Sequence, residues 1–224
     1  MTLRLLLLAA VLLFPVHAFA QGLASERPIV ADDGRPVANH AVPAQYRGAA
    51  EKMPGAVVVG NPRGDATLVE FYDLNCPYCR RASADLDAML AKDEGLRLVL
   101  VPYPVLGVPS ILAARVELAI ARSATPDLFY KFHRQVYAGR GTIDGQRALA
   151  VARALNLDER KLITLADDDQ ITDIMKSHVR LGDALKLMAT PSYVVGNSAI
   201  VGHPGRRALE KIVASVRRCG EITC

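Results

Sequence analysis

Read for hydrophobic period alone, the chain changes character at Val57. "AVVVGNP" is a short β-branched run stopped by Gly60-Asn61-Pro62, and "ATLVEFY" is a second strand candidate, apolar on both faces except at Glu70. A strand apolar on both faces predicts the middle of a sheet covered by helices. "CRRASADLDAMLAKDE" then takes helical spacing, with Leu86, Met89 and Leu90 on its inward face and Gly95 as its stop. "LRLVLVPYPV" returns to strand and is broken by Pro102 and Pro104.

From there to Met188 the spacing is helical almost throughout. Ser110 is expected to open one helix through Arg122, and Thr125-Pro126 caps and starts another through Tyr137. Asp144 opens a segment to Leu155 and Asp158 the next, with a further helix running up to Met188. The period then returns to two: "SYVVGNSAIVG" reads as a hairpin about Gly196-Asn197-Ser198. "RRALEKIVASVRR" closes as an amphipathic helix with Leu209, Ile212, Val213 and Val216 on one side. The expected architecture is an α/β core (57–102 and 189–218) split by a helical insertion (103–188), with a cysteine-containing tail at 219–224.

The residues before Val57 carry different information. Arg4, the apolar run Leu5 to Phe14 and the small residues Ala18 and Ala20 form a cleavable export signal over 1–20, cut between Ala20 and Gln21. The run stops at Pro15, short of the roughly 20 residues that span a bilayer, so the mature chain is expected to have no membrane span. No cysteine follows the run until Cys76, which argues against a lipid anchor at the new terminus. Residues 21–56, rich in Pro, Gly, Ala and charge, read as an arm or linker, either disordered or paired with another subunit.

Composition narrows the function class. The formal net charge is +4 over 224 residues, with charges interspersed, which gives no basis for binding nucleic acid or an anionic membrane. Hydrophobic residues make up 51%, enough to fill a core without covalent staples. The four cysteines are therefore candidates for chemistry or a local clip in an oxidising compartment.

Two of them lie in "NCPYCRR". If a helix begins at Cys76, Pro77 takes its first position, where a missing N–H costs nothing. Cys76 then sits over free N–H groups and the positive end of the helix dipole, which stabilise a thiolate. Cys79 lies one turn in, on the same face and more buried, placed to resolve the mixed disulfide that Cys76 forms. Arg80 and Arg81 add positive charge or are simply solvated. Glu70, six residues before Cys76, either is a buried acid that takes the Cys79 proton or sits at a sheet edge in water or beside an arginine. Asp73 reads as a loop or helix-entry residue. Pro191 in "MATPSYVVG" stands where a tight turn would accept a cis bond.

Together "VVVGNPRGDATLVEFYDLNCPYCRRA", "PYPVLG" with its helical block, and "TPSYVVGN" resemble the DsbA-like family of exported thioredoxin-fold thiol–disulfide oxidoreductases. The likeness runs from about Val57 to Arg218. It implies a thioredoxin fold with an inserted α-helical domain and a periplasmic location. It makes Cys76 the nucleophile, Cys79 the resolving thiol, Glu70 the buried acid and Pro191 a cis-proline. Tyr78, Pro77, Thr190 and Pro191 would then touch substrate. The implied partners are exported proteins with thiols or disulfides and a membrane redox partner that resets the pair, with no cofactor beyond the Cys76–Cys79 disulfide. Pro-Tyr between the cysteines and Thr before Pro191 resemble the DsbG, DsbC and copper-suppressor branches, so oxidase, isomerase and reductase roles are all open, and a homo-oligomer joined through the arm fits the isomerase group.

"CGEITC" is expected to close a structural disulfide between Cys219 and Cys224, with a second redox pair or a subunit cross-link as alternatives. A competing class is Cu(I) binding at the C-x-x-C thiolates. No second C-x-x-C or spaced histidine pair completes a metal site, and no metal is expected. His17 leaves with the signal, while His40, His133, His178 and His203 read as surface or cap residues.

Overall fold

A computed structural model describes residues 26–224; the export signal assigned to 1–20 and residues 21–25 lie outside the described residues. Six strands form one sheet: β1 (Asn39–Ala41), β2 (Val57–Gly60), β3 (Ala66–Tyr72), β4 (Leu96–Pro102), β5 (Ser192–Val195) and β6 (Ser198–Val201). Their order across the sheet is β1-β6-β5-β3-β4-β2. β3 and β4 are parallel and joined through helix α1 (Pro77–Lys92), and the remaining pairings are antiparallel.

Central β3 sorts its side chains by alternation, as a strand must. Leu68 and Tyr72 join Leu98, Leu100 and Tyr193 in the larger apolar cluster, while Val69 and Phe71 join Val99 and Val101 in the opposite one. The first face is covered by Leu86 and Met89 of α1, Phe129 and Phe132 of α3 (Pro126–Ala138), and Leu209, Ile212 and Val213 of α7 (Arg206–Cys219). Against the second pack Leu181 of α6 (Asp169–Ala184), the following Leu185 and Leu187, and Val42 and Ala50 from before β2. Leu68, Leu98 and Leu100 are fully buried, each contributing about 1.5–3 kcal/mol of transfer free energy.

Between β4 and β5 come α2 (Val108–Ser123), α3, α4 (Gly145–Ala154), α5 (Glu159–Ala166) and α6. Thr125, Asp144 and Asp158 cap α3, α4 and α5, accepting from the N–H groups of Leu128, Arg147 and Lys161. α2 begins two residues ahead of the expected Ser110, with Gly107 as its cap and a proline in its first turn. Ser110 is inside the helix and gives its hydroxyl to Asp73 at 2.7 Å. α6 stops at Ala184, short of Met188, and Lys186 takes a left-handed conformation with φ 54°.

The stretch read as an arm is, from Glu26 on, laid against its own chain. β1 pairs with β6, and Ile29, Val37 and Val42 are buried. Two histidines also depart from the surface reading. His178 is fully buried, its ring nitrogens bridging the carbonyls of Pro102 (2.8 Å) and Pro54 (2.6 Å), and His133 is buried against Glu117 at 3.2 Å. Among the described residues no helix is long and apolar enough to cross a membrane.

Candidate active site

The parallel β3–β4 pair ends beside the turn that starts α1, and there the functional side chains meet. Cys76 is the N-cap of α1 with Pro77 in the first turn, and Cys79 lies one turn in. Both thiols are free and buried, Cys79 the more deeply. The Cys76 sulfur lies 3.0 Å from the Thr190 carbonyl, and the Thr190–Pro191 bond is cis. The cis-proline turn therefore stands across from the reactive sulfur.

The two thiols are pulled in opposite directions. A hydrogen bond from the Cys79 thiol lowers the Cys76 pKa most; burial opposes it, and the Thr190 side chain and the N–H groups of Cys79 and Tyr78 add to the lowering, bringing it to about 6. Cys79 is pushed up, first by burial, then by the hydrogen bond it gives Cys76 and by the Glu70 charge. At neutral pH one sulfur is an anion at the surface of the site and the other a thiol beneath it.

Glu70 lies below both. β3 is flanked by β5 and β4, so the edge reading of Glu70 does not hold, and its carboxyl is buried with neither oxygen hydrogen-bonded. Its pKa rises to about 8, from burial first, then the Cys76 charge, then Glu117 of α2. Tyr78 is exposed at the rim, with the Arg81 guanidinium 4.6 Å above its ring. Arg80 reaches away from the sulfurs to the Gly139 carbonyl.

Asp73 has a larger part than a helix-entry residue. Its Oδ1 accepts from the Asn75 N–H (2.8 Å) and the Ser110 hydroxyl, and its Oδ2 from the N–H groups of Val105 and Leu106 (both 2.9 Å). Asn75 in turn exchanges hydrogen bonds of 2.8 Å with the backbone of Ile143. These two side chains latch the C-x-x-C turn to the helical insertion. The Asp-x-Asn spacing just before the motif is the local signal, since both residue types bond backbone two positions on; their long-range partners leave no sequence trace. Cys219 and Cys224, far from this site, are joined by a disulfide.

Residues 67–214 match the DSBA-like thioredoxin domain family. The chain belongs to that family. It has the thioredoxin fold with an inserted helical domain and is a thiol–disulfide oxidoreductase. A thioredoxin-like oxidoreductase from Silicibacter pomeroyi DSS-3 is 33% identical, with TM-score 0.72 over 77% of this chain and 98% of that one. Two structures at 22% identity share the fold. The thiol-disulfide exchange protein alpha-DsbA2 of Wolbachia pipientis has TM-score 0.70 (77% and 92% covered). A periplasmic thioredoxin-like protein of Salmonella enterica serovar Typhimurium has TM-score 0.70 (80% and 99% covered). No curated protein matches. The family match begins inside β3, so β1, β2 and the segment before them lie outside this DsbA-like domain as matched.

Proposed function

We propose that this DsbA-like protein works in the periplasm as a disulfide donor, passing a Cys76–Cys79 disulfide to exported proteins, and that a membrane redox partner restores it. The observation that carries the direction is the stabilised Cys76 thiolate at the start of α1. Whatever stabilises the thiolate stabilises the reduced form and makes the disulfide a stronger oxidant. The periplasmic Salmonella neighbour and the export signal support the location.

In the donating direction a substrate thiolate attacks the Cys76 sulfur. The Cys76–Cys79 bond breaks and a Cys76–substrate disulfide forms. Cys79 leaves with the bonding electron pair and takes a proton from Glu70, which at its raised pKa of about 8 holds one at neutral pH. A second substrate thiolate then attacks the substrate sulfur, releasing Cys76 as the thiolate and oxidising the substrate by two electrons. In the reverse direction Cys76 enters the mixed disulfide, its charge disappears, the Glu70 pKa falls, and the carboxylate can take the Cys79 proton.

The rim suits unfolded chain. Tyr78, Val105, Leu106, Val108, Ile111 and Met188 are all exposed near the motif, the loop at 105–106 being held there by Asp73. The test is stoichiometric transfer: oxidised protein mixed with a reduced, unfolded exported protein should hand over its disulfide within the mixing experiment. Transfer absent, with activity only on scrambled disulfides, would replace the donor reading with an isomerase.

A further inference from the structure

Glu70 must gain or lose a proton each time Cys79 does, yet it is buried and its oxygens are without partners. Several routes lead outward. The first is past Cys76, which substrate covers while the mixed disulfide lasts. The second leads to Glu117, but its neighbours His133 and Tyr72 are as buried as it is, a dead end. The third runs across the sheet.

Tyr193 on β5 is the register partner of Glu70, so the two side chains stand on one face of the sheet with Cβ atoms about 4.5–5.5 Å apart. The Tyr193 hydroxyl meets His203 Nδ1 at 2.7 Å, and His203 Nε2 meets Asp85 Oδ2 of α1 at 2.9 Å. The buried Tyr193 is thereby joined to an Asp85 carboxylate whose side chain is 36% exposed. His203 also lines a surface groove of about 350 Å³ with Tyr78 and Thr190. From the three-membered hydrogen-bonded chain and the closed alternative, we propose that Tyr193, His203 and Asp85 form the proton path between Glu70 and solvent.

The chemistry of each member fits. A hydroxyl both donates and accepts, and an imidazole takes a proton on one nitrogen as it releases one from the other. With Tyr193 donating to Nδ1, its hydroxyl keeps lone pairs free to accept, and because neither Glu70 oxygen is hydrogen-bonded, the step between Glu70 and Tyr193 runs through one bridging water. Burial, then the Glu70 charge, hold the Tyr193 hydroxyl protonated, so it relays and does not ionise. The groups around Glu70 are Tyr72 on its own strand, Cys76 and Cys79 at α1, Glu117 on α2, Tyr130 and Tyr137 on α3, and Tyr193 on β5. Tyr130 also reaches an exposed carboxylate, Asp87 at 3.3 Å, but Tyr193 is the one that stands beside Glu70 in the sheet register, and its chain passes through a histidine that can relay a proton. When Cys79 attacks Cys76 and expels the substrate thiolate, one proton moves from the Cys79 thiol to Glu70 and one leaves by Asp85; in the donating direction the same path runs inward. No electron and no further reactant is involved.

This inference rests on Glu70 as the proton partner of Cys79, and the experiment separates the two. Reduced protein is mixed with oxidised glutathione, acid-quenched and alkylated, resolving formation of the Cys76–glutathione disulfide from glutathione release by Cys79 across pH. Tyr193→Phe, which keeps the ring, and His203→Ala should leave formation at the parent rate and slow release about tenfold or more, with imidazole restoring release in His203→Ala. Release slowed in Glu70→Gln but at parent rate in both other variants would overturn the path and leave Glu70 in place. Parent rates in all three would overturn both. Formation and release slowed in parallel, without imidazole rescue, would show a structural effect and overturn the path.

Discussion

The two cysteine pairs sit at opposite ends of two helices. Cys76 caps the N-terminus of α1, where N–H groups converge on its sulfur, and Cys79 is buried behind it over an unpartnered acid. Cys219 is the last residue of α7, beyond which Gly220 turns left-handed (φ 79°) and brings Cys224 back to close a disulfide. There the backbone presents carbonyls, which offer an anion nothing; nearby Arg217 is committed to Asp65 and Asp93. Ile222 is buried and Ser215 gives its hydroxyl to the Cys224 sulfur at 2.9 Å, pinning the tail. The same residue type is set for exchange at one helix end and for a clip at the other, and what differs is the helix polarity and the company of a buried acid.

The hardest break is Cys76→Ser, which should abolish disulfide transfer, at least about a thousandfold by the usual worth of an activated nucleophile; insulin-type turnover assays or peptide oxidation would read it. Glu70→Gln comes next. It should slow the steps in which Cys79 gains or loses its proton about 10²-fold while leaving the alkylation midpoint of Cys76 near 6, because that midpoint is set by Cys79, burial, Thr190 and the N–H groups of Cys79 and Tyr78. Stopped-flow exchange beside iodoacetamide alkylation separates the two effects.

The pH dependence sharpens the contrast further. Cys76 in the fold titrates at about 6, below its ordinary value of 9.0. Its thiolate therefore stabilises the reduced fold fully above the ordinary value, and that contribution is lost as pH falls through about 6. Denaturant melts of reduced and oxidised protein should converge toward a more stable disulfide form as pH drops from 8 to 5. A reduced form gaining stability on acidification would reverse the assignment. The smallest effect belongs to the other pair: Cys219→Ser with Cys224→Ser should leave transfer at the parent rate and cost about 2 kcal/mol of stability for so short a loop.

Sequence showed the core and the motif for a physical reason. β3 and β4 advertise burial on both faces, Thr125, Asp144 and Asp158 are local caps, and C-x-x-C after a strand is a local signal too. What stayed hidden depends on partners distant in the chain. β1 is three residues without alternation and exists because β6 offers an edge. His178 is buried because carbonyls 76 and 124 residues away take its two nitrogens. The Asp73 latch and the Tyr193–His203–Asp85 chain likewise join residues that only the fold brings together. Glu70 lay between these cases: an acid in an apolar strand is visible, but its central position in the sheet is not.

The central claim is that the helix-capped Cys76 thiolate makes this pair a disulfide donor, and the most direct measurement is its equilibrium with glutathione at neutral pH. Replacing Cys219 and Cys224 by Ser leaves a single titrating couple. The account predicts that the reduced form is strongly favoured across ordinary mixtures of reduced and oxidised glutathione. A Cys76–Cys79 disulfide that persists under those mixtures would contradict it and leave a reductant in place of the donor.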